Sequence, residues 1–272
     1  MAGKPQPWAG PRNRFRGPGS RRGALAAQSP PMESVAIVKT GATPPSVAAR
    51  RGDFESWIAA GLGLDPARIG VVRVFDGETL PDPRDLAGAV VTGSSAMVTN
   101  REPWSEATAE WLGAAVAAET PVLAICYGHQ LLAHALGGRV AKNPRGREIG
   151  TVEVALTAEA RDDDLLGVFP GALRVQTSHV ESVLELPPDA SRLATTKLDP
   201  NHAFRIGRAT WGVQFHPEFD ADIVRGYFAC RRAAILEEGI DADALLRNVV
   251  DCPDGTAVLR RFARLLDADQ GE

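Results

Sequence analysis

Cysteine is scarce in this chain, with three in 272 residues, at positions 126, 230 and 252. An odd number at wide spacing argues against a disulfide framework, and no Cys-x-x-Cys pair or His/Cys cluster reads as a zinc site. The usage suits a reducing cytoplasm. Long apolar runs are missing too. None approaches the roughly 18 residues that a membrane helix needs, so no membrane partner is expected. Neither sign of charge dominates, and a net charge of -4 leaves no electrostatic footprint for nucleic acid. No internal repeat is legible. What is present, 44% hydrophobic and 24% charged residues, is ordinary for a globular protein long enough to bury a full core.

Residues 1–31 differ from the rest. They are rich in Pro and Gly, carry Arg12, Arg14, Arg16, Arg21 and Arg22, and contain no acidic residue. Such a segment buries too little apolar surface to offset its ordering entropy, so disorder is expected. The short run at Ala24–Ala27 is no secretory core. Met32 directly precedes the first strand-like run and reads as an alternative start.

The folded region divides by rhythm. Apolar runs at Ser34–Lys39, Ile69–Phe75, Ala89–Thr92 and Val122–Ile125 read as strands. A turn carrying Gly41, Pro44 and Pro45 follows the first. Helical spacing links Phe54, Trp57, Ile58 and Leu62, and again Trp104, Thr108, Trp111, Leu112 and Ala115. Strand and helix in alternation predict an α/β fold with a doubly wound, mainly parallel sheet. Later strands are expected at Glu148–Leu156, Leu173–Ser178, Ser191–Lys197, Ala203–Gly207 and Thr210–Phe215, with few helices between. They suggest an antiparallel extension of the same sheet. Residues 220–272 read as C-terminal helices packed on a domain spanning 32–219. The Asp162-Asp163-Asp164 run reads as a solvated helix start.

Two stretches carry chemistry. In Ala124-Ile-Cys126-Tyr-Gly128-His-Gln130, a buried strand meets a helix at a cysteine, a corner that lifts a nucleophile clear of the sheet. The helix N-terminus there favours thiolate, the reactive form. A lone cysteine after a strand is more often simply core, so a partner must change that reading. Phe215-His216-Pro217-Glu218 supplies one: in extended backbone, residues two apart point the same way, so Glu218 can fix the tautomer of His216. Cys126, His216 and Glu218 are then the parts of a triad that only the fold can join.

These two stretches, in this order, resemble the triad, or class I, glutamine amidotransferases, over about Ser34 to Phe219. The resemblance implies a flavodoxin-like fold and glutamine hydrolysed through a γ-glutamyl thioester. Cys126 would be the nucleophile, His216 base and acid, and Glu218 its orienting group. Thr92-Gly93-Ser94-Ser95 resembles the family's Ser-Gly-Gly-Pro loop, so the oxyanion would meet backbone N–H groups of Tyr127 and of Gly93 or Ser94. Replacing Gly by Ser94 removes freedom at positive φ, which leaves the exact donor open. Gln176-Thr-Ser178-His179-Val180 resembles the substrate loop. By analogy Gln130 and the backbone of Ser178, His179 and Val180 hold the amino-acid end of glutamine. No metal or cofactor is called for.

After Glu218 neither a phosphate loop nor an ATP-pyrophosphatase loop is legible. The chain resembles stand-alone, GMP-synthase-like amidotransferases, acting with an unknown acceptor or a separate synthase subunit. A γ-glutamyl peptidase or hydrolase is the alternative, and an inactive binding partner a third reading. Cys230 reads as a helix residue, Cys252 as a loop residue, His129 and His134 as structural, and His202 as part of a turn.

Overall fold

The computed structural model describes residues 34–268. The readings of residues 1–31 and of Met32 lie outside the described residues. Four strands open the chain: β1 (Val35–Lys39), β2 (Ile69–Arg73), β3 (Gly88–Val91) and β4 (Val122–Ile125). Their connections hold α1 (Pro45–Arg51), α2 (Phe54–Leu62) and α3 (Pro103–Ala117), and α4 (Tyr127–Ala135) follows β4. Then come β5 (Arg139–Lys142), β6 (Glu148–Leu156), β7 (Ala172–His179), β8 (Glu181–Glu185), β9 (Ser191–Thr195), β10 (Ala203–Ile206) and β11 (Thr210–Val213). Three helices close the described chain: α5 (Ala221–Glu237), α6 (Ala242–Arg247) and α7 (Pro253–Ala268).

Nine strands form one sheet in the order β2-β1-β3-β4-β11-β10-β9-β6-β7. The first five positions are parallel and the rest antiparallel, as the change of rhythm predicts. Every residue of β1, β3 and β4 is buried, the mark of strands covered on both faces. Alternate residues enter different cores. Val35 and Ile37 face α2, α5 and α7, whereas Ala36 and Val38 face α3 and α4. No described helix is long and apolar enough to cross a membrane.

β11 is the hinge of this architecture. It runs parallel to β4, with Val213 opposite Ile125, and antiparallel to β10. The last strand of the sheet in sequence is therefore inserted beside the strand that carries the cysteine. Cys126 N–H donates to Val213 C=O at 2.8 Å, which fixes the two strand ends side by side. Ligands of open α/β sheets collect at such carboxyl ends.

Several elements depart from expectation. The turn at Pro44–Pro45 is the start of α1, because proline at the first helical position lacks only an N–H that would find no partner there. β2 stops at Arg73 and gives way to a 3₁₀ turn at Val74–Asp76, and β9 stops at Thr195, since Thr196 N–H turns back to Asp199 C=O. β5 and β8 form a separate two-stranded ribbon. β5 has four residues, exposed at both ends, too short for a period to show. No α-helix starts at the Asp162–Asp164 run, and only its outer two residues are solvated. Asp163 is buried, accepts the N–H groups of Leu165 and Leu166 at 3.0 and 2.8 Å, meets Trp211 Nε1, and pairs with Arg205.

Candidate active site

The corner after β4 is strained at one residue. Cys126 has φ 52° and ψ -98°, a conformation that costs a non-glycine residue of order 1–3 kcal/mol and tends to be kept at functional sites. α4 begins immediately after it. The N–H groups of its first turn find no carbonyl inside the helix, and they open beside the thiol. Gly128 is needed for this packing, since a Cβ there would lie 2.8 Å from Val91 C=O.

His216 reaches the thiol from beyond β11. Its N–H donates to Gln176 C=O at 2.8 Å, so an isolated bridge to β7 holds its backbone. Its Nδ1 meets Glu218 Oε1 at 2.7 Å. The route to that contact differs from the extended segment anticipated. Residues 216–219 form a turn, closed by Phe219 N–H on His216 C=O at 3.3 Å, and the turn brings the carboxylate round to the ring. Phe219 stacks on the imidazole at 4.0 Å between centroids. Gly93 closes the ring's edge: a Cβ there would stand 2.8 Å from His216 Cε1.

The electrostatics follow from burial and pairing. Burial alone would raise the Cys126 pKa, but the charge of His216, its hydrogen bond and the charge of His179 together hold it below the ordinary 9.0. Burial opposes a charged His216, yet Glu218 and the thiolate raise its pKa above the ordinary 6.5. The arrangement favours a thiolate–imidazolium pair.

One cavity of about 210 Å³ gathers most of the sequence-predicted residues: Ser94, Cys126, Tyr127, Gln130, Ser178, His179 and Val180. Tyr127 turns its hydroxyl away to Ser105 Oγ at 2.6 Å, which leaves its backbone to face the corner. Gln130 spends its amide nitrogen on Glu181 C=O and Gln214 Oε1, at 2.8 and 3.0 Å, so only its oxygen remains for a ligand. Ser94 is not among the described non-glycine residues at positive φ, so the loop needs no glycine there. The segment 176–180 is not a loop. Gln176 to His179 end β7, paired with β6 from Thr151 to Glu148.

The ring of His179 is tied into a second cluster. Nδ1 meets Glu181 C=O at 3.0 Å and Nε2 meets Glu148 Oε2 at 3.2 Å. Ser182 Oγ also meets Nδ1, at 3.4 Å, and against burial the Glu148 hydrogen bond and the charges of Asp199 and Glu148 raise the ring's pKa above the ordinary 6.5. His202 Nε2 meets the same carboxylate oxygen at 2.9 Å, and Thr196 Oγ1 donates to the other at 2.7 Å. Burial alone would raise the Glu148 pKa, but the hydrogen bonds from His179 and His202 hold it far below the ordinary 4.5. The Glu148, His179 and His202 donor atoms lie within 4.8 Å of one another, the type of set that could hold a divalent cation. Hydrogen bonding among themselves already satisfies these facing atoms.

Sequence reasoning missed Glu148, Glu181, Arg147 and Arg231. Glu181 ties the cavity's two walls, accepting from Val98 N–H at 2.9 Å and from Thr99 Oγ1. Arg147 and Arg231 line the cavity. A lone arginine beside a strand, or in a helix far down the chain, carries no pattern that could have found it. Two further histidines lie outside this cavity's lining. His129 is buried against Phe204 at 4.8 Å, with burial pushing its pKa down to about 3; His134 meets Glu106 at 3.1 Å. Cys230 is exposed on α5, and Cys252 is buried just before α7.

Known proteins resemble this chain in sequence and in fold. The sequence profile of the family described as Glutamine amidotransferase class-I matches residues 78–223. Gamma-glutamyl peptidase 4 of Arabidopsis thaliana is 32% identical over 190 residues, covering 67% of this chain and 75% of that protein. A glutamine-hydrolyzing GMP synthase of Porphyromonas gingivalis is 38% identical over 140 residues, which span 50% of this chain but only 26% of the synthase. A solved glutamine amidotransferase from Methylobacillus flagellatus aligns with a TM-score of 0.65 at 25% identity, covering 87% of this chain and 93% of that one.

Proposed function

This chain belongs to the glutamine amidotransferase class-I family, and on that premise we propose that it hydrolyses the side-chain amide of glutamine through Cys126, His216 and Glu218. The observation that carries the reading is the juxtaposition at the two strand ends. A strained cysteine at a helix N-terminus faces a histidine whose far nitrogen is 2.7 Å from a buried carboxylate.

The Cys126 thiolate attacks the amide carbon, and the carbonyl π pair moves onto oxygen. The resulting oxyanion lies against backbone N–H groups of Tyr127 and of the Gly93–Ser94 loop, each donor contributing about 3 kcal/mol in comparable sites. His216 then passes its proton to the departing nitrogen as the C–N bond breaks, which releases ammonia and leaves a γ-glutamyl thioester. With its proton gone, His216 takes one from water. The hydroxide adds to the thioester, the C–S bond breaks, and glutamate leaves. Glu218 keeps Nδ1 protonated throughout, so that Nε2 does the transfers. Gln130 and the backbone of Ser178–Val180 hold the amino-acid end. Residues 32–219 carry this chemistry, and ammonia passes to an acceptor or a separate synthase subunit in the cytoplasm.

A γ-glutamyl peptidase is the second reading, favoured by the coverage of the Arabidopsis relative. It uses the same bonds with an amine in place of ammonia. Glutamate release, measured from glutamine and separately from γ-glutamyl dipeptides, decides between them. Preference for the dipeptides would displace the amidotransferase reading, and equal release by Cys126→Ala would sink both.

A further inference from the structure

The mechanism above gives no role to Arg231, a charged group of the cavity. Arg231 lies on α5, beyond the family-matched residues 78–223, yet it lines the same cavity as Cys126. Its Nη1 donates to Ser178 Oγ at 3.2 Å. Its Cζ stands 5.1 Å from the centroid of the Tyr227 ring, a cation–π contact. Thr43 Oγ1 in turn donates to the Tyr227 hydroxyl at 2.9 Å.

The neighbouring arginines are neutralised. Arg147, on the same wall, is gripped by both oxygens of Glu238 at 2.8 Å each. Arg232, the next residue along α5, is gripped by Asp243 at 2.8 and 2.9 Å. Among the described residues Arg231 is in no ion pair. Burial pulls its pKa below the ordinary 12.5, but arginine does not lose its proton in proteins. A partly desolvated cation outside any ion pair is costly to hold. A planar fork, anchored on one side by Ser178 and Tyr227, presents its remaining donors to a planar anion.

We propose that Arg231 receives the α-carboxylate of the substrate, so that the cavity accepts free glutamine or γ-glutamyl compounds with an unblocked α-carboxylate and rejects glutamine residues within a polypeptide. This rests on the hydrolase reading of the same site. It also gives the C-terminal helices a part in the site: α5 delivers the cation that the family-matched segment does not contain.

The test pairs two substrates with two variants. Glutamine is compared with glutaminamide, its α-carboxamide, in the wild type, Arg231→Met and Arg231→Lys. Arg231→Met is expected to raise KM for glutamine about 10²-fold, the scale of losing a charge-assisted hydrogen-bonded pair. Its kcat stays within about threefold and its kinetics on glutaminamide within about twofold, because that substrate has no carboxylate to lose. Arg231→Lys recovers part of the loss. Equal losses on both substrates would mean a structural role and overturn the proposal.

A second arm needs no turnover. The rate of Cys126 alkylation by iodoacetate, divided by that for iodoacetamide, is expected to fall about tenfold in Arg231→Met and much less in Arg231→Lys. An unchanged ratio overturns the anion site. Should no γ-glutamyl compound be hydrolysed at all, the hydrolase reading falls, and the alkylation ratio decides the anion site by itself.

Discussion

The protein buries two histidine–carboxylate clusters, and they hold their histidines in opposite ways. In one, His216 engages Glu218 through Nδ1 alone, and its other nitrogen is left to a thiol. In the other, His179 has both nitrogens committed, to Glu181 C=O and to Glu148, while His202 adds a second donor to the same carboxylate. The first cluster can move a proton. In the second the ring nitrogens meet no thiol, His202 Nδ1 being without a partner, and the cluster acts on the site through the charge of His179, which helps keep Cys126 below its ordinary pKa. A buried histidine beside a carboxylate is therefore not evidence of catalysis; a free second nitrogen beside a nucleophile is.

The sharpest separation comes from Cys126→Ala, which removes the nucleophile that gives its proton to the first cluster. Glutamate release from glutamine is expected to fall by about 10⁴-fold or more, with the thermal unfolding midpoint little changed. Next in size is Glu148→Gln. It strips the charge that His179 and His202 share, and a buried pair broken from one side costs about 3–5 kcal/mol, read from urea unfolding at pH 7. Loss of activity without loss of stability would break the contrast between the clusters.

The same carboxylate gives a pH signature. The Glu148 pKa is lowered on folding from 4.5, so its contribution to stability is present above about pH 4.5 and is lost as pH falls toward the folded value. The variant should show a flatter acid limb below about pH 4.5.

A smaller effect is expected from His216→Ala. The remaining charge of His179 no longer suffices against burial, so the midpoint of Cys126 alkylation by iodoacetamide moves upward. Labelling at pH 7.5 should slow about tenfold. The smallest is Gly93→Ala, whose Cβ must displace the His216 ring from a 2.8 Å approach. Overpacking of this kind costs about 1–3 kcal/mol, and glutamate release should fall several-fold to about tenfold. Full activity in Gly93→Ala would show that the ring has room and that the glycine serves the loop alone.

Much of the first cluster was legible before any fold was known. Cys126 sits between a continuous apolar run and a helical period, and His216 and Glu218 are two positions apart in a motif, so local pattern marks all three. Their juxtaposition was legible only as an inference from alternating strands and helices, and the turn that joins His216 to Glu218 was read as extended backbone. Gly93 was noticed for its N–H, whereas its lack of a side chain beside His216 is what the packing shows. The second cluster was invisible as a unit. Glu148, His179 and His202 come from the start of β6, the end of β7 and the residue before β10, and no spacing links them.

The sequence by itself determined the strands that must be buried, the corner at which a helix begins on a cysteine, and the change from parallel to antiparallel pairing. These follow from periods of two and 3.6 residues and from glycine and proline punctuation, all of which act within a dozen residues. Tertiary structure alone decided that β11 slots between β4 and β10, which sets His216 beside Cys126. It also decided that Asp163 is buried rather than solvated, and that a helix beyond the family-matched segment brings Arg231 to the cavity. Those outcomes depend on which surfaces meet when the sheet closes its two cores, and burial against a distant partner leaves no local pattern to read.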